Sequence, residues 1–274
     1  VILPQFTHYY FSCILTGIEE TCSKHGYQII VAQSGDSYER EREIIESMRQ
    51  TRVCGFIVSQ AKETTCYDHF HEVVKDGSPI VFFDRICTDI ITNRVVVDDY
   101  TGAFTATEYL IKTGCHRICF FGAAMNLEIS KNRYNGYRDA LLKYKLPVDK
   151  DLFRICDNRE EAEKLTPELM ALENRPDGFF TINDDTALGV LYTCKRLGYN
   201  IPDDVSICGF TDGIRAKSCD PQLTTVEQRG YDVGVAAATC LIEEYEAEGE
   251  EKQKFRNRII KTKLIVRGTT KPLT

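Results

Sequence analysis

No stretch of this 274-residue sequence nears the roughly 18 unbroken apolar residues that a helical membrane span takes; runs such as Pro79 to Phe83 stop after five positions. A helix crossing a bilayer is excluded. Positive charge is short as well: 34 Lys plus Arg stand against 41 Asp plus Glu, a net charge of −7. The chain therefore has no net attraction for phosphate backbones or anionic lipid. Its 12 cysteines contain no C-x-x-C pair, and their scatter through helical and strand-like segments fits small buried residues in a reducing cytosol. The start, Val1-Ile2-Leu3-Pro4, has no basic and apolar leader ahead of it, so no signal peptide is visible, and residues upstream are expected to have been removed. Catalytic signatures are missing too: there is no G-x-S-x-G, no H-E-x-x-H, no G-x-x-x-x-G-K-[ST] and no G-x-G-x-x-G after a strand. His69-x-His71 lacks the further ligands that a metal site needs. The chain is expected to be no enzyme and to carry no cofactor or metal.

What is present is ordinary globular material, 43% hydrophobic and 27% charged, in a length that suits about two domains of ~150 residues. Short apolar runs alternate with amphipathic segments almost from end to end. Strands are predicted at Val1 to Leu3, Gln28 to Ala32, Gly55 to Ser59, Pro79 to Asp84, Arg94 to Val97, Arg117 to Gly122, Gly178 to Thr181, Val205 to Phe210 and Lys261 to Arg267. Helices are predicted at Phe11 to His25, Tyr38 to Thr51, Thr101 to Thr113, Arg133 to Lys145, Arg159 to Glu173, Thr186 to Leu197 and Tyr231 to Glu248, with Gly26, Gly114 and Gly198 as helix stops. The alternation runs twice, once before about residue 100 and again from about 115 to 210, which predicts an α/β fold of two similar doubly wound parallel-sheet lobes. No Gly/Ser or Pro-rich linker separates them, so short crossings at Val97 to Gly102 and Pro221 to Val226 are expected to form a hinge. The acidic stretch Glu243 to Glu251 reads as a solvated helix end and loop.

In open α/β sheets, ligands collect beyond the carboxyl ends of the strands. Polar residues fall there in five loops: Gln5 to Phe11, Ser59-Gln60, Asp84-Arg85, Asn183-Asp184-Asp185 and Thr211-Asp212. Rings beside planar polar groups suit a polyhydroxylated or heterocyclic ligand. Each loop also has a plainer reading. His8 to Phe11 could staple a helix start, Asp84-Arg85 could form an internal ion pair, Asn183 or Asp184 could cap the next helix, and Asp212 could be a turn residue before Gly213.

Phe179-Phe180-Thr181-Ile182-Asn183-Asp184-Asp185-Thr186-Ala187-Leu188-Gly189, followed by Leu197-Gly198-Tyr199-Asn200-Ile201-Pro202-Asp203-Asp204-Val205-Ser206-Ile207-Cys208-Gly209-Phe210, closely resembles the effector domain of LacI-family transcription regulators. Val97-Asp98-Asp99-Tyr100-Thr101-Gly102-Ala103 is similar to the family's hinge, Tyr109 to Ile118 to its helix-Gly-strand joint, Arg133-Tyr134-Asn135-Gly136-Tyr137 to its R-x-x-G-aromatic motif and Leu223 to Gln228 to its return crossing. Nearly the whole chain is covered.

The resemblance implies a type I periplasmic-binding-protein-like fold whose lobes, expected at 1–99 with 226–250 and at 100–225 with 251–274, close over a small molecule. It implies a helix-turn-helix head, absent from this chain, that binds operator DNA, and a cytoplasmic homodimer. The implied effector is a carbohydrate, with a purine or phosphosugar as alternatives; a transporter's solute-binding protein is the competing reading. Tyr9, Tyr10, Ser59, Asp84, Arg85, Asp98, Arg133, Asn183, Asp184, Thr211 and Gln228 are the candidate ligand residues, Arg133 foremost because a guanidinium fork grips vicinal hydroxyls. The sequence departs from the family at Thr211, where an Asp is usual, and at Thr7-His8, where Asn-Pro is usual.

Overall fold

The computed structural model describes residues 1–247 and 255–273. The chain forms two compact units, Val1–Val97 with Arg229–Ile260 and Asp98–Gln228 with Lys261–Thr274. Unit 1 begins with β1 (Ile2–Leu3), α1 (Tyr9–Lys24), β2 (Ala32–Gln33), α2 (Tyr38–Gln50), β3 (Phe56–Val58), α3 (Asp68–Lys75), β4 (Ile80–Phe83) and β5 (Asn93–Val97). Unit 2 follows with α4 (Asp99–Lys112), β6 (Ile118–Gly122), α5 (Glu128–Lys143), β7 (Phe153–Ile155), α6 (Arg159–Met170), β8 (Gly178–Thr181), α7 (Asp184–Arg196), β9 (Ser206–Thr211), α8 (Ile214–Ser218) and β10 (Thr224–Glu227). The chain then returns to unit 1 for α9 (Gly230–Glu246) and β11 (Asn257–Ile260), and ends in unit 2 with β12 (Lys263–Ile265).

The sheet of unit 1 runs β11-β5-β4-β3-β1-β2, every neighbouring pair parallel. That of unit 2 runs β12-β10-β9-β8-β6-β7, with β12 alone antiparallel to its neighbour. Strand side chains alternate between faces, and each face has its own core. Ile57, Val81 and Phe83 pack under α1 and α9, whereas Phe56, Val58, Ile80 and Phe82 pack under α2 and α3. In unit 2, Cys119, Phe121, Phe179 and Ile207 face α6 and α7, while Ile118, Phe120, Phe180, Cys208 and Phe210 face α4 and α5. Burial on both faces is why these strands read as continuous apolar runs. All 12 cysteines are free and nine are buried; burial pushes the thiols of Cys115, Cys156 and Cys194 up to about 12.

Glycines let helices in each unit pack backbone to backbone. A Cβ on Gly234 of α9 would lie 2.1 Å from the Ile14 carbonyl oxygen of α1, and one on Gly136 of α5 would lie 2.4 Å from the Tyr100 carbonyl oxygen of α4.

Several expectations are corrected. Gln28 to Val31 are not strand: β2 is Ala32–Gln33, because β1 offers only the two rungs Ile2↔Ala32 and Leu3↔Gln33. Within Lys261 to Arg267 only Lys263–Ile265 is strand, β12, which pairs with β10 in unit 2, while β11 (Asn257–Ile260), paired with β5 in unit 1, precedes the predicted segment and was not predicted. The boundary therefore falls at Ile260/Lys261 and not at 250/251. Pro221 to Val226 is no crossing, because Thr224–Glu227 is β10 inside the sheet and the chain leaves unit 2 after Gln228. Residues 226–228 accordingly belong to unit 2, not to the first lobe, and residues 98 and 99 do so as well. The helices α3 and α8 and the strand β7 were not predicted. Gly26, Gly114 and Gly198 do follow helix ends, with φ of 80°, 101° and 87°. The acidic stretch runs into residues 248–254, outside the described residues.

Gly234→Ala and Gly136→Ala are each expected to lower thermal stability by about 2 kcal/mol or more, because overpacking against backbone outweighs the roughly 1 kcal/mol that Ala gains in a helix. Circular dichroism melts should show midpoints several degrees below wild type. An unchanged midpoint would refute the tight-packing assignment.

Candidate functional site

All the strands of unit 1 point the same way, so the turns after β2, β3 and β4 share one sheet edge. Ser34 follows β2, Ser59 and Gln60 follow β3, and Asp84 and Arg85 follow β4. All but Arg85 are buried, at 0 to 5% exposure. Ser34 Oγ, Ser59 Oγ, Gln60 Oε1 and Arg85 Nε are buried without a hydrogen-bond partner among the described residues. Buried polar atoms are nearly always paired, so four orphans on consecutive strand ends mark a place that a ligand or water completes. Arg85 does not pair with Asp84: its Nη1 donates to Asp36 Oδ1. Asp84 has a left-handed φ of 56°, and its N–H donates to the Val95 carbonyl at 3.1 Å. Tyr9 and Tyr10 open α1; Tyr9 is 36% exposed, while Tyr10 sits in the core with Phe11.

The corresponding edge of unit 2 is held by charge. Arg133, 4% exposed, donates from Nε to Asp99 Oδ1 at 2.7 Å and from Nη1 to the Ile182 carbonyl, and its guanidinium lies 3.8 Å from the Phe210 ring centroid. The fork expected to grip a ligand thus already ties α5 to α4 and to the end of β8. Asn183 caps α7: Oδ1 accepts from Thr186 N–H at 2.8 Å and Nδ2 donates to the Asp157 carbonyl at 2.7 Å. Asp98 caps α4 through Thr101 N–H at 3.1 Å. Thr211 Oγ1 donates to Gln228 Oε1 at 3.1 Å, joining the ends of β9 and β10. Thr211 and Asp212 have φ of 149° and 63°, unusual backbone for a β-branched residue and its neighbour, and such strain concentrates at ligand sites. Asp212, between β9 and α8, pairs with Arg267 Nη2 at 2.6 Å and Lys217 Nζ at 3.1 Å.

Asp184 is nearly enclosed. Its Oδ1 accepts from Thr225 Oγ1 at 2.5 Å and its Oδ2 from Gly213 N–H at 2.8 Å. Burial pushes its carboxyl up to about 6, against the pull of those two hydrogen bonds and with a smaller push from Asp212. His69, the first member of the His-x-His pair, lies against Glu41 at 3.0 Å, and no cluster of three metal-ligating side chains exists among the described residues.

The sequence model of the periplasmic binding protein-like domain matches residues 107–270. The ribose operon repressor of Halalkalibacterium halodurans is 30% identical over 99% of this chain and 78% of its own length. The transcriptional repressor CytR of Escherichia coli is 28% identical over 100% of this chain and 79% of its own. The chain belongs to the LacI family of transcriptional regulators. A periplasmic binding protein/LacI transcriptional regulator of Alkaliphilus metalliredigens, solved with D-xylulofuranose, has a TM-score of 0.85 at 25% identity and covers 99% of this chain and 98% of that one. As a LacI-family member the chain is a metabolite-sensing transcription regulator and not a transporter's receptor.

Within this LacI-family fold, sequence reasoning missed Ser34 and Asp36 and passed over Gln60. The signal for the first two was present: Ser34-Gly35-Asp36 is a turn motif directly after a predicted strand, but that loop was left out of the five considered.

The Asp184 geometry fixes a pH dependence. A carboxyl whose folded-state value is raised favours the protonated form in the fold, so its contribution is fully present below about pH 4 and is lost as pH rises through about 6. Relative to Asp184→Asn, wild type should lose up to about 3 kcal/mol between pH 4 and pH 7.5 in denaturant titrations. Parallel stability curves for the two proteins would sink this assignment.

Proposed function

We propose that this regulator senses a neutral pentose and acts on operator DNA as a cytoplasmic homodimer, with no catalytic activity of its own. The observation that carries the effector class is the set of four orphan polar atoms just beyond the ends of β2, β3 and β4, Ser34 Oγ, Ser59 Oγ, Gln60 Oε1 and Arg85 Nε. Two hydroxyls and an amide oxygen suit sugar hydroxyls, which donate and accept. Arg85 and Arg133 each already carry a carboxylate, Asp36 and Asp99, so neither is a bare cation waiting for a phosphate. That favours a neutral sugar over a phosphosugar. The ribose operon repressor among the relatives and the D-xylulofuranose in the Alkaliphilus structure support a five-carbon sugar. Ser59, Arg85 and the exposed ring of Tyr9 in unit 1, and Thr211 and Gln228 in unit 2, are proposed ligand-facing residues, each taken within its own unit. Tyr10, Asp84, Asp98, Arg133, Asn183 and Asp184 are proposed to shape the site from within the fold.

Titration calorimetry with D-ribose and D-xylulose, on wild type and Ser59→Ala, tests this reading. Ser59 Oγ has no partner to lose, so the variant should melt at the wild-type temperature or slightly above it. Its pentose affinity should fall about 3- to 10-fold, the usual worth of one neutral hydrogen bond. Failure of both pentoses to bind wild type, or equal affinity in the variant, would overturn the proposal.

A further inference from the structure

The segment 59–64 has no regular secondary structure, yet each of its backbone N–H groups is bound. Ser59 donates to the Ile2 carbonyl at 3.0 Å and Gln60 to the Arg85 carbonyl at 3.1 Å. Ala61 donates to Glu41 Oε2 at 2.5 Å and Lys62 to Asp36 Oδ1 at 3.1 Å. Glu63 donates to the Asp36 carbonyl at 3.3 Å and Thr64 to the Ala61 carbonyl at 3.1 Å. Five of the six consecutive donors are thus held from β1, from the end of β4, from α2 and from the Asp36 turn, and the sixth is bound within the segment. Only the side-chain atoms Ser59 Oγ and Gln60 Oε1 are left over at the start of the segment.

Glu41 stands at the centre of this arrangement. It lies on α2 at 0% exposure, and no Lys or Arg ion pair on it is found among the described residues. Oε2 takes the Ala61 N–H; Oε1 takes the Thr64 hydroxyl at 2.6 Å and His69 Nε2 at 3.0 Å. Beside a carboxylate, His69 presents Nε2–H, which leaves its Nδ1 buried without a partner. Three donors from three places converge on two oxygens of one side chain. A glutamine of the same shape could accept on one side only. A fully buried carboxylate is costly unless its hydrogen bonds are needed, and here they fix the segment that presents Ser59 and Gln60.

We propose that Glu41 is a positioning residue for effector recognition: through Ala61 and Thr64 it holds the loop after β3 in the one conformation that presents Ser59 Oγ and Gln60 Oε1. This rests on the pentose reading only for the choice of ligand. Pre-organised groups bind better because the ordering cost is met in folding.

The test compares the full chain with Glu41→Gln, Thr64→Val and a control, Ile18→Ala, which opens a cavity in the core under α1 and α9, on the other face of the sheet from α2 and His69. Amide hydrogen exchange and D-ribose titration are measured on each. In Glu41→Gln, amides 61–64 should exchange at least about tenfold faster while those of β3 and β4 keep their protection, and D-ribose affinity should fall about tenfold. Thr64→Val should show the same local pattern more weakly, and it decides the matter if Glu41→Gln does not fold. Ile18→Ala should lower the melting temperature but leave loop exchange and affinity as they were. Unchanged exchange at 61–64, a loss of protection spread evenly over unit 1, or retained affinity in a loosened loop would each overturn the proposal. If wild type does not bind D-ribose, the pentose reading fails, and the exchange pattern alone decides whether Glu41 holds the loop.

Discussion

A sheet whose strands run parallel sends every connection back across one of its faces, so both faces must be covered and every strand delivers its carboxyl end to the same edge. At that edge the ladder stops, and backbone N–H groups that no strand satisfies must find acceptors elsewhere. Much of the polar chemistry of unit 1 answers this demand. Asp36 and Glu41 accept from the segment after β3, and the Arg85 carbonyl accepts from Gln60. The site is what remains when that demand has been met.

The same logic separates residues that hold from residues that face a ligand. Charged groups here are overwhelmingly engaged internally: Arg133 with Asp99 and the Ile182 carbonyl, Arg85 with Asp36, Asp212 with Arg267 and Lys217. Ion pairs in low dielectric are strongly destabilising to break, so they make good scaffolding. The atoms left without partners are mostly neutral, two hydroxyls and an amide oxygen among them. A small neutral ligand can displace water from such atoms without stranding a buried charge, which is the condition for reversible sensing at modest affinity.

The fold was largely legible in the sequence because burial on both sheet faces writes each central strand as an apolar run, as at Phe56–Val58, Ile80–Phe83 and Ile118–Gly122. Legibility failed where that signal is weak. β7 is partly exposed, with Ile155 at 53%, and β10 is the threonine-rich Thr224–Glu227, which reads as a connection. The division of Asn257 to Ile265 between two sheets has no local mark, since Lys261-Thr262 looks like any alternating strand. In the site, caps were readable because Asn183 and Asp98 precede helices. The engagement of Arg133 was not, because its partners Asp99 and Ile182 lie 34 and 49 residues away in sequence. Glu41 was equally hidden: it stands in the highly charged run Glu39-Arg40-Glu41-Arg42-Glu43, where a carboxylate looks solvated, and only the third dimension shows it at 0% exposure.

The departure at Thr211 acquires a meaning from the same accounting. A threonine hydroxyl donates, and here it donates to Gln228 Oε1. An aspartate at that place has no proton to give when ionised, so Gln228 would have to turn its amide and donate instead. The residue at 211 therefore sets which end of the Gln228 amide is tied down. With threonine the oxygen is held and Nε2 is left to donate. Gln228 is the last residue of unit 2 before the chain returns to unit 1, and Arg229 follows in a left-handed conformation with φ of 54°. A ligand acceptor taken up by Gln228 Nε2 would thus bear on the residue next to a conformationally restricted backbone step. In this member of the family, the threonine at the end of β9 ties down the Gln228 amide one residue before the chain changes units.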